Sequence, residues 1–169
     1  MGLDAHPVNL RCSALVFRED AVLLCQRITD WVVPGGTPEP GEAVAACVRR
    51  EVREETGLAV TPVGVAFVLD ATNPDYDDTL IEVMFLAEED GDPSSRDGTS
   101  PRCVEDGLLP RFVPLDHLAR IELRPPIAGH IRAFHAAIAA AVDARRPPRT
   151  AAYLGNVWRP AAGTARRAW

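Results

Sequence analysis

Between a Pro34-Gly35-Gly36 corner and Gly57 the chain carries one helix-length segment whose faces differ in chemistry. Val44, Val48 and Val52 recur every fourth residue from Glu42 onward, the spacing that stacks side chains along one stripe of an α-helix. Glu51, Glu54 and Glu55 stand at i, i+3 and i+4, surface neighbours expected on an arc beside the valines. Gly57 falls where a left-handed residue closes a helix, and the Pro-Gly-Gly triplet forces a turn ahead of it. Such a helix needs an apolar surface to lie on, and its flanks supply one. Residues 11–18 and 21–27 read as strands around a Glu19-Asp20 turn, and 59–69 and 79–87 as two more, joined by ATNPDYDD. After an acidic, Gly/Pro-rich stretch at 88–101, read as a mobile surface loop, come a short strand in RFVPL and a helical turn in DHLAR. A second helix is expected at 126–144, with Ile127, Ile131, Phe134, Ile138 and Val142 on one stripe. Strands, helix, strands, helix predict the α/β class, a sheet covered on both faces.

Charge narrows the function. The 18 basic residues among 169 are all arginine. Residues 1–143 hold 24 acids and 12 arginines, whereas 144–169 hold 6 arginines and no acid. The expected organisation is therefore an acidic domain at 1–143 followed by a basic Arg/Pro/aromatic tail at 144–169. An acidic body lacks the basic face that nucleic acid requires, so a small ligand is the better partner. If that ligand carries phosphate, a metal ion is the obvious neutraliser. Cys12, Cys25, Cys47 and Cys103 form no C-x-x-C pair, which points away from zinc and disulfides and toward a reducing cytoplasm. No run approaches the ~18 apolar residues of a membrane helix. The sequence leaves a homodimer open.

Three like charges in one helix cost roughly 0.2–0.5 kcal/mol per pair, a sign that a hard divalent cation reverses. An acidic helix face alone is more often solvated, with Arg50 and Arg53 as ion-pair partners. The surrounding spacing decides otherwise. From Gly36, five residues lead to Glu42, and seven more to Arg50-Glu51-Val52-Arg53-Glu54-Glu55-Thr56-Gly57-Leu58. This pattern resembles the signature of the Nudix hydrolases without a departure, and WVVPGG and LLCQR ahead of it resemble the family's lead-in. The resemblance spans about residues 11–140 and implies an α/β/α sandwich with a central mixed sheet. It implies hydrolysis of a nucleoside diphosphate linked to another group, with Mg²⁺ or Mn²⁺ as cofactor. The metal ligands it implies are Glu51, Glu54, Glu55 and the Gly36 carbonyl, with Gly35 and Gly36 letting backbone approach the phosphates. Arg50 is expected to pair with a neighbouring glutamate and fix its rotamer. Glu42 serves either the helix dipole or the site. The general base is expected to be Glu51 or, outside the motif, Glu105, which is otherwise an ordinary surface acid. Glu82, in mid-strand and opposite in phase to Ile81, Val83 and Phe85, either faces a cleft or is an ordinary surface acid. Arg27 is either a phosphate clamp or a surface arginine.

Substrate cues conflict. Pro74, 16 residues past Leu58, resembles the ADP-ribose branch, and Tyr76, 18 past it, resembles the diadenosine polyphosphate branch. The short layout also fits a nucleoside triphosphate hydrolase. A fold-related sensor that binds a nucleotide without turnover is the rival from another class, disfavoured by the intact motif. Isoprenoid diphosphate isomerase chemistry is disfavoured for the same reason. In the tail, YLGNVWRP either folds back on the body or stays flexible, and a sharper alternative has Tyr153 or Trp158 stack on a base beside Arg159. His6, His117, His130 and His135 show no ligand spacing.

Overall fold

The structure, a computed structural model, describes residues 8–71, 79–91, 100–143 and 152–157. Pro74, Tyr76, Trp158, Arg159 and His6 lie outside the described residues, as do residues 92–99 of the expected loop. The chain runs β1 (Val8–Leu15), β2 (Phe17–Arg18), β3 (Ala21–Gln26), β4 (Trp31–Val32), β5 (Gly35–Gly36), α1 (Val44–Thr56), β6 (Val60–Asp70) and β7 (Thr79–Glu89). β8 (Leu109–Pro114), a 3-10 turn (Leu118–Arg120), α2 (Ala128–Asp143) and β9 (Ala152–Asn156) follow.

Two sheets result. The larger is ordered β5-β1-β7-β6-β9 and is mixed, since β1 pairs parallel with β7 and β6 with β9 while the other pairs are antiparallel. The smaller is antiparallel and built on β3, which pairs with β2, β4 and the whole of β8. The stretch 11–18, expected as one strand, breaks at Val16 and feeds both sheets. Its side chains are apolar on both sides of the break, so periodicity alone cannot show the change of partner.

Strand alternation separates two cores. Cys12, Ala14, Val60, Phe85 and Ala87 meet Cys47, Val48 and Val52 of α1 on one face. Leu15, Phe67, Leu69 and Met84 meet Ile127 and Ile131 on the other. The mixed sheet is thus covered on both faces, as expected. α2 docks through its first half. Phe134 stands edge-on to Phe67 with ring centroids 5.9 Å apart, whereas Val142 is 71% exposed, so the apolar stripe runs on past the surface it covers.

The strand expected to end at residue 87 continues through Glu89, which is buried because Arg18 holds it with Nε and Nη2 at 2.7 and 2.6 Å. Of the tail, β9 folds back onto β6, with Leu154 and Val157 packed against the core and the Tyr153 hydroxyl donating to Asp70 Oδ2 at 2.6 Å. Among the described residues no helix is long and apolar enough to cross a membrane.

Candidate functional site

The site starts at the glycine corner. Gly35 and Gly36 pair antiparallel with Ser13 and Cys12 of β1. A Cβ on Gly35 would strike the Cys12 carbonyl oxygen and the Ser13 Cα, and a Cβ on Gly36 would land on the Glu51 carboxylate. Bare backbone is therefore required twice, once by the sheet and once by an acid of α1.

α1 docks through Cys47, Val48 and Val52, and its C-terminus closes at Gly57, left-handed at φ 72°, whose N–H donates to the Arg53 carbonyl at 3.0 Å. The expected separation of acids from valines fails at Glu55. Seven residues after Val48, it completes almost two turns and lies on the buried stripe, 7% exposed, while Val44 at the helix start is 38% exposed. Glu55 accepts a hydrogen bond from the Gly35 amide at 3.0 Å. Burial drives its pKa up to about 7, with that amide pulling in the opposite direction. Glu54, by contrast, is more than half exposed.

Arg50 ties the acids together. Its Nε and Nη2 reach Glu42 Oε1 and Oε2, both at 2.9 Å, while Nη1 reaches Glu51 Oε1 at 2.8 Å and Glu54 Oε2 at 3.1 Å. Glu42 also accepts from the Glu39 amide at 2.9 Å. The Arg50 bonds, followed by that amide, lower the Glu42 pKa to about 2. Glu42 precedes the helix, and no side chain caps α1. Its partner is the arginine.

The donor set of Glu51, Glu54, Glu55 and the Gly36 carbonyl consists of hard oxygens, which suits Mg²⁺ or Mn²⁺. Among the described residues, however, no three acidic, histidine or cysteine groups already converge on one point. Arg50 explains part of this, because its N–H groups hold Glu51 and Glu54, and Glu55 rests on the Gly35 amide. The ligand chemistry fits a divalent cation.

Beside the corner opens a cleft of about 850 Å³ that Glu55 and Glu105 both line. Arg27 lines it too, with Nε 2.5 Å from Asp30 Oδ1. Asp30 is shared with Arg124, whose Nε lies 3.3 Å from Oδ2. Glu82 is no surface acid. It is 1% exposed, lines the cleft, accepts from the Ser13 hydroxyl and lies 3.4 Å from Arg11 Nε. Burial raises its pKa against the pull of Arg11. Sequence reasoning missed Arg11, Ser13, Asp30 and Arg124. Arg11 and Ser13 gave a faint signal as same-phase polar residues in an apolar strand. Arg124 gave none, for it arrives through backbone bonds from Trp31 N to Glu122 O and from Arg124 N to Trp31 O.

A mixed sheet between two helices, with an acidic helix packed behind a glycine corner at the edge of a cleft, defines an α/β/α sandwich with an oxygen-donor site. The NUDIX domain family matches residues 9–134, and the chain belongs to it. Its sequence is similar to the 8-oxo-dGDP phosphatase NUDT18 of Mus musculus, 30% identical over an alignment 124 residues long that covers 65% of this chain and 36% of that protein. It is also similar to the nucleoside triphosphatase NudI of Enterobacter sp. (strain 638), 34% identical over 43% of this chain and 58% of the relative. The chain thus spans about a third of the first relative and somewhat over half of the second. Its fold matches an ADP-ribose pyrophosphatase from Streptococcus suis with a TM-score of 0.61 and 25% identity, over 86% of this chain and 98% of that one.

Proposed function

We propose that this protein is a Mg²⁺-dependent pyrophosphohydrolase that cleaves the diphosphate linkage of a nucleotide derivative by attack of water on phosphorus. One observation carries the reading: the motif acids are drawn onto the glycine corner, Glu51 over Gly36 and Glu55 on the Gly35 amide, where Glu55 borders the cleft. Glu51, Glu54, Glu55 and the Gly36 carbonyl hold the cation. Bound there, Mg²⁺ or Mn²⁺ neutralises phosphate oxygens and lowers the pKa of a coordinated water. The chain's own residues do the rest. Arg50 sets the rotamer of Glu51 through a 2.8 Å bond while Glu42 anchors the guanidinium from the other side. Arg27, nearly half exposed at the cleft, meets substrate phosphate, with Asp30 orienting it. Glu51, or Glu105 from its loop in the cleft, takes the proton of the attacking water. The P–O bond to the bridging oxygen breaks, leaving two phosphorylated products.

The substrates named for the relatives, an oxidised deoxynucleoside diphosphate, nucleoside triphosphates and ADP-ribose, define the class to test. A diadenosine polyphosphate belongs in the same panel. Three buried unpaired thiols, Cys12, Cys25 and Cys47, support work in a reducing cytoplasm. We assign catalysis to the acidic domain of residues 1–143 and treat 144–169 as an appendage whose strand β9 completes the sheet edge. The test is product release from this panel with Mg²⁺ or Mn²⁺, for wild type, Glu54→Gln and Glu55→Gln. Loss of turnover well beyond ~100-fold in both variants is expected, above what an outer-shell change costs. Unchanged turnover in both would refute the ligand roles. Nucleotide binding without any turnover would favour a sensor.

A further inference from the structure

Glu82 is left over by this mechanism. It sits on β7 opposite Arg11 of β1, and Ser13, two residues along β1, pairs with Gly35 on the far side. The Glu82 backbone lies two strands from the glycine corner, at about 4.7–4.9 Å per strand, while its carboxylate reaches back to the Ser13 hydroxyl, which would stand 2.8 Å from a Cβ on Gly35. One of its oxygens, Oε1, takes the Ser13 hydroxyl and faces Arg11 Nε at 3.4 Å. The other, Oε2, is buried and has no hydrogen-bond partner among the described residues, although the side chain lines the cleft. A buried carboxylate oxygen without a partner costs stability, and a fold keeps one readily where a ligand completes it. Beside its charged groups the cleft has apolar walls, Val32, Ala71, Leu80 and Leu108 among them, and Leu80 lies two residues from Glu82, in phase with it on β7. An acid in such surroundings repels phosphate. Apolar walls with one fixed acceptor suit a nucleobase, the apolar-faced part of a nucleotide that carries N–H groups on its edge.

We propose that Glu82 is a specificity-determining residue whose Oε2 accepts a hydrogen bond from the exocyclic amino group of the substrate's purine base, with Ser13 and Arg11 fixing the carboxylate through Oε1. The assignment rests on the nucleotide reading above and names which feature of the nucleotide is read. A site built to bond an N–H rejects the analogue that lacks it, because its own acceptor is then stranded.

The test compares matched bases that differ by one donor: adenine against unsubstituted purine, and guanine against hypoxanthine, each as the same phosphorylated compound. In wild type, kcat/KM favours the donor-bearing base by about tenfold or more in at least one pair, tenfold being about 1.4 kcal/mol. In Glu82→Gln, which keeps size, the Ser13 hydroxyl and Arg11 hold the amide oxygen at the Oε1 position and leave the NH₂ at the free one, so the preference falls below about threefold while hydrolysis continues. Glu82→Asp, which withdraws the acceptor, does the same should the glutamine variant fail to fold. Equal kcat/KM across both pairs in wild type, a preference that survives in both variants, or a Glu82-dependent preference that follows the ribose 2′-hydroxyl instead would each overturn the proposal. If wild type hydrolyses none of the compounds, the hydrolase reading fails by itself. Affinities for the same pairs, measured by calorimetry, then decide whether Glu82 reads the base.

Discussion

Gly35 and Gly36 are neighbours whose replacement by alanine should fail in different ways. The Cβ of Gly35→Ala meets backbone, the Cys12 carbonyl and the Ser13 Cα, which cannot retreat without moving β1. Overpacking of that kind costs about 1–3 kcal/mol, so this variant melts at lower temperature. The Cβ of Gly36→Ala meets the end of the Glu51 side chain, which can swing away. That variant keeps a near wild-type melting temperature and loses turnover by ~10–100-fold or more, the scale of a misplaced ligand. Calorimetric melts beside initial rates separate the two, and equal melting losses would contradict the distinction. Glu42 offers a test in pH. Its folded pKa of about 2 lies below the ordinary 4.5 because Arg50 holds it. A depressed carboxyl pKa stabilises the fold above the unfolded value and loses that contribution as pH falls through the folded one. Glu42→Gln should therefore melt below wild type above about pH 4.5, and the two curves should converge toward pH 2. A gap that persists unchanged at pH 2 would assign the stability to something other than this ion pair.

α1 is the element on which fold and site depend together, and Gly57 is where it can be probed without touching the acids. At φ 72°, an alanine there pays a left-handed penalty, and its Cβ would also press on the Arg102 side chain at 3.1 Å. Gly57→Ala should cost roughly 1 kcal/mol, or a melting shift of ~2–4 °C for a chain of this size, measurable by thermal scans. No shift would mean that the cap contributes nothing. The helix was legible because period, cap glycine and motif all act within a few turns of chain. The faces are less legible: the i, i+3, i+4 spacing sets Glu55 beside Glu51 and Glu54, whereas its position two turns from Val48 places it on the packed stripe. What stayed hidden is long-range. Nothing near Val16 announces that the strand changes sheets, and the convergence of Arg11 with Glu82 and of Arg124 with Asp30 follows from strand pairing between distant segments. Glu82 was visible as an odd polar phase in an apolar strand. Its burial required knowledge that β1 and β6 flank β7 on either side.

At the scale of the whole molecule, the fold carries an acid load that its own arginines do not fully answer. Residues 1–143 hold twice as many acids as arginines, and Glu55 and Glu82, both under 10% exposed, border the same cleft with pKa values raised by burial. Buried Glu89 is different, since Arg18 forks it. Acids at the cleft cost stability on their own, and a cation held as proposed among Glu51, Glu54 and Glu55 would offset part of that cost. A ligand specific to the native state stabilises it by about 2.7 kcal/mol at a hundred times its Kd. For a chain of this length that corresponds to a rise of roughly 5–10 °C in Tm. Magnesium chloride should therefore raise Tm clearly more than sodium chloride at equal ionic strength, because bulk salt only screens the acidic body. The double variant Glu54→Gln, Glu55→Gln should lose the magnesium-specific part while keeping the sodium response. If both salts shift the wild type equally, the acids act through general charge, and the divalent site at the glycine corner is not there.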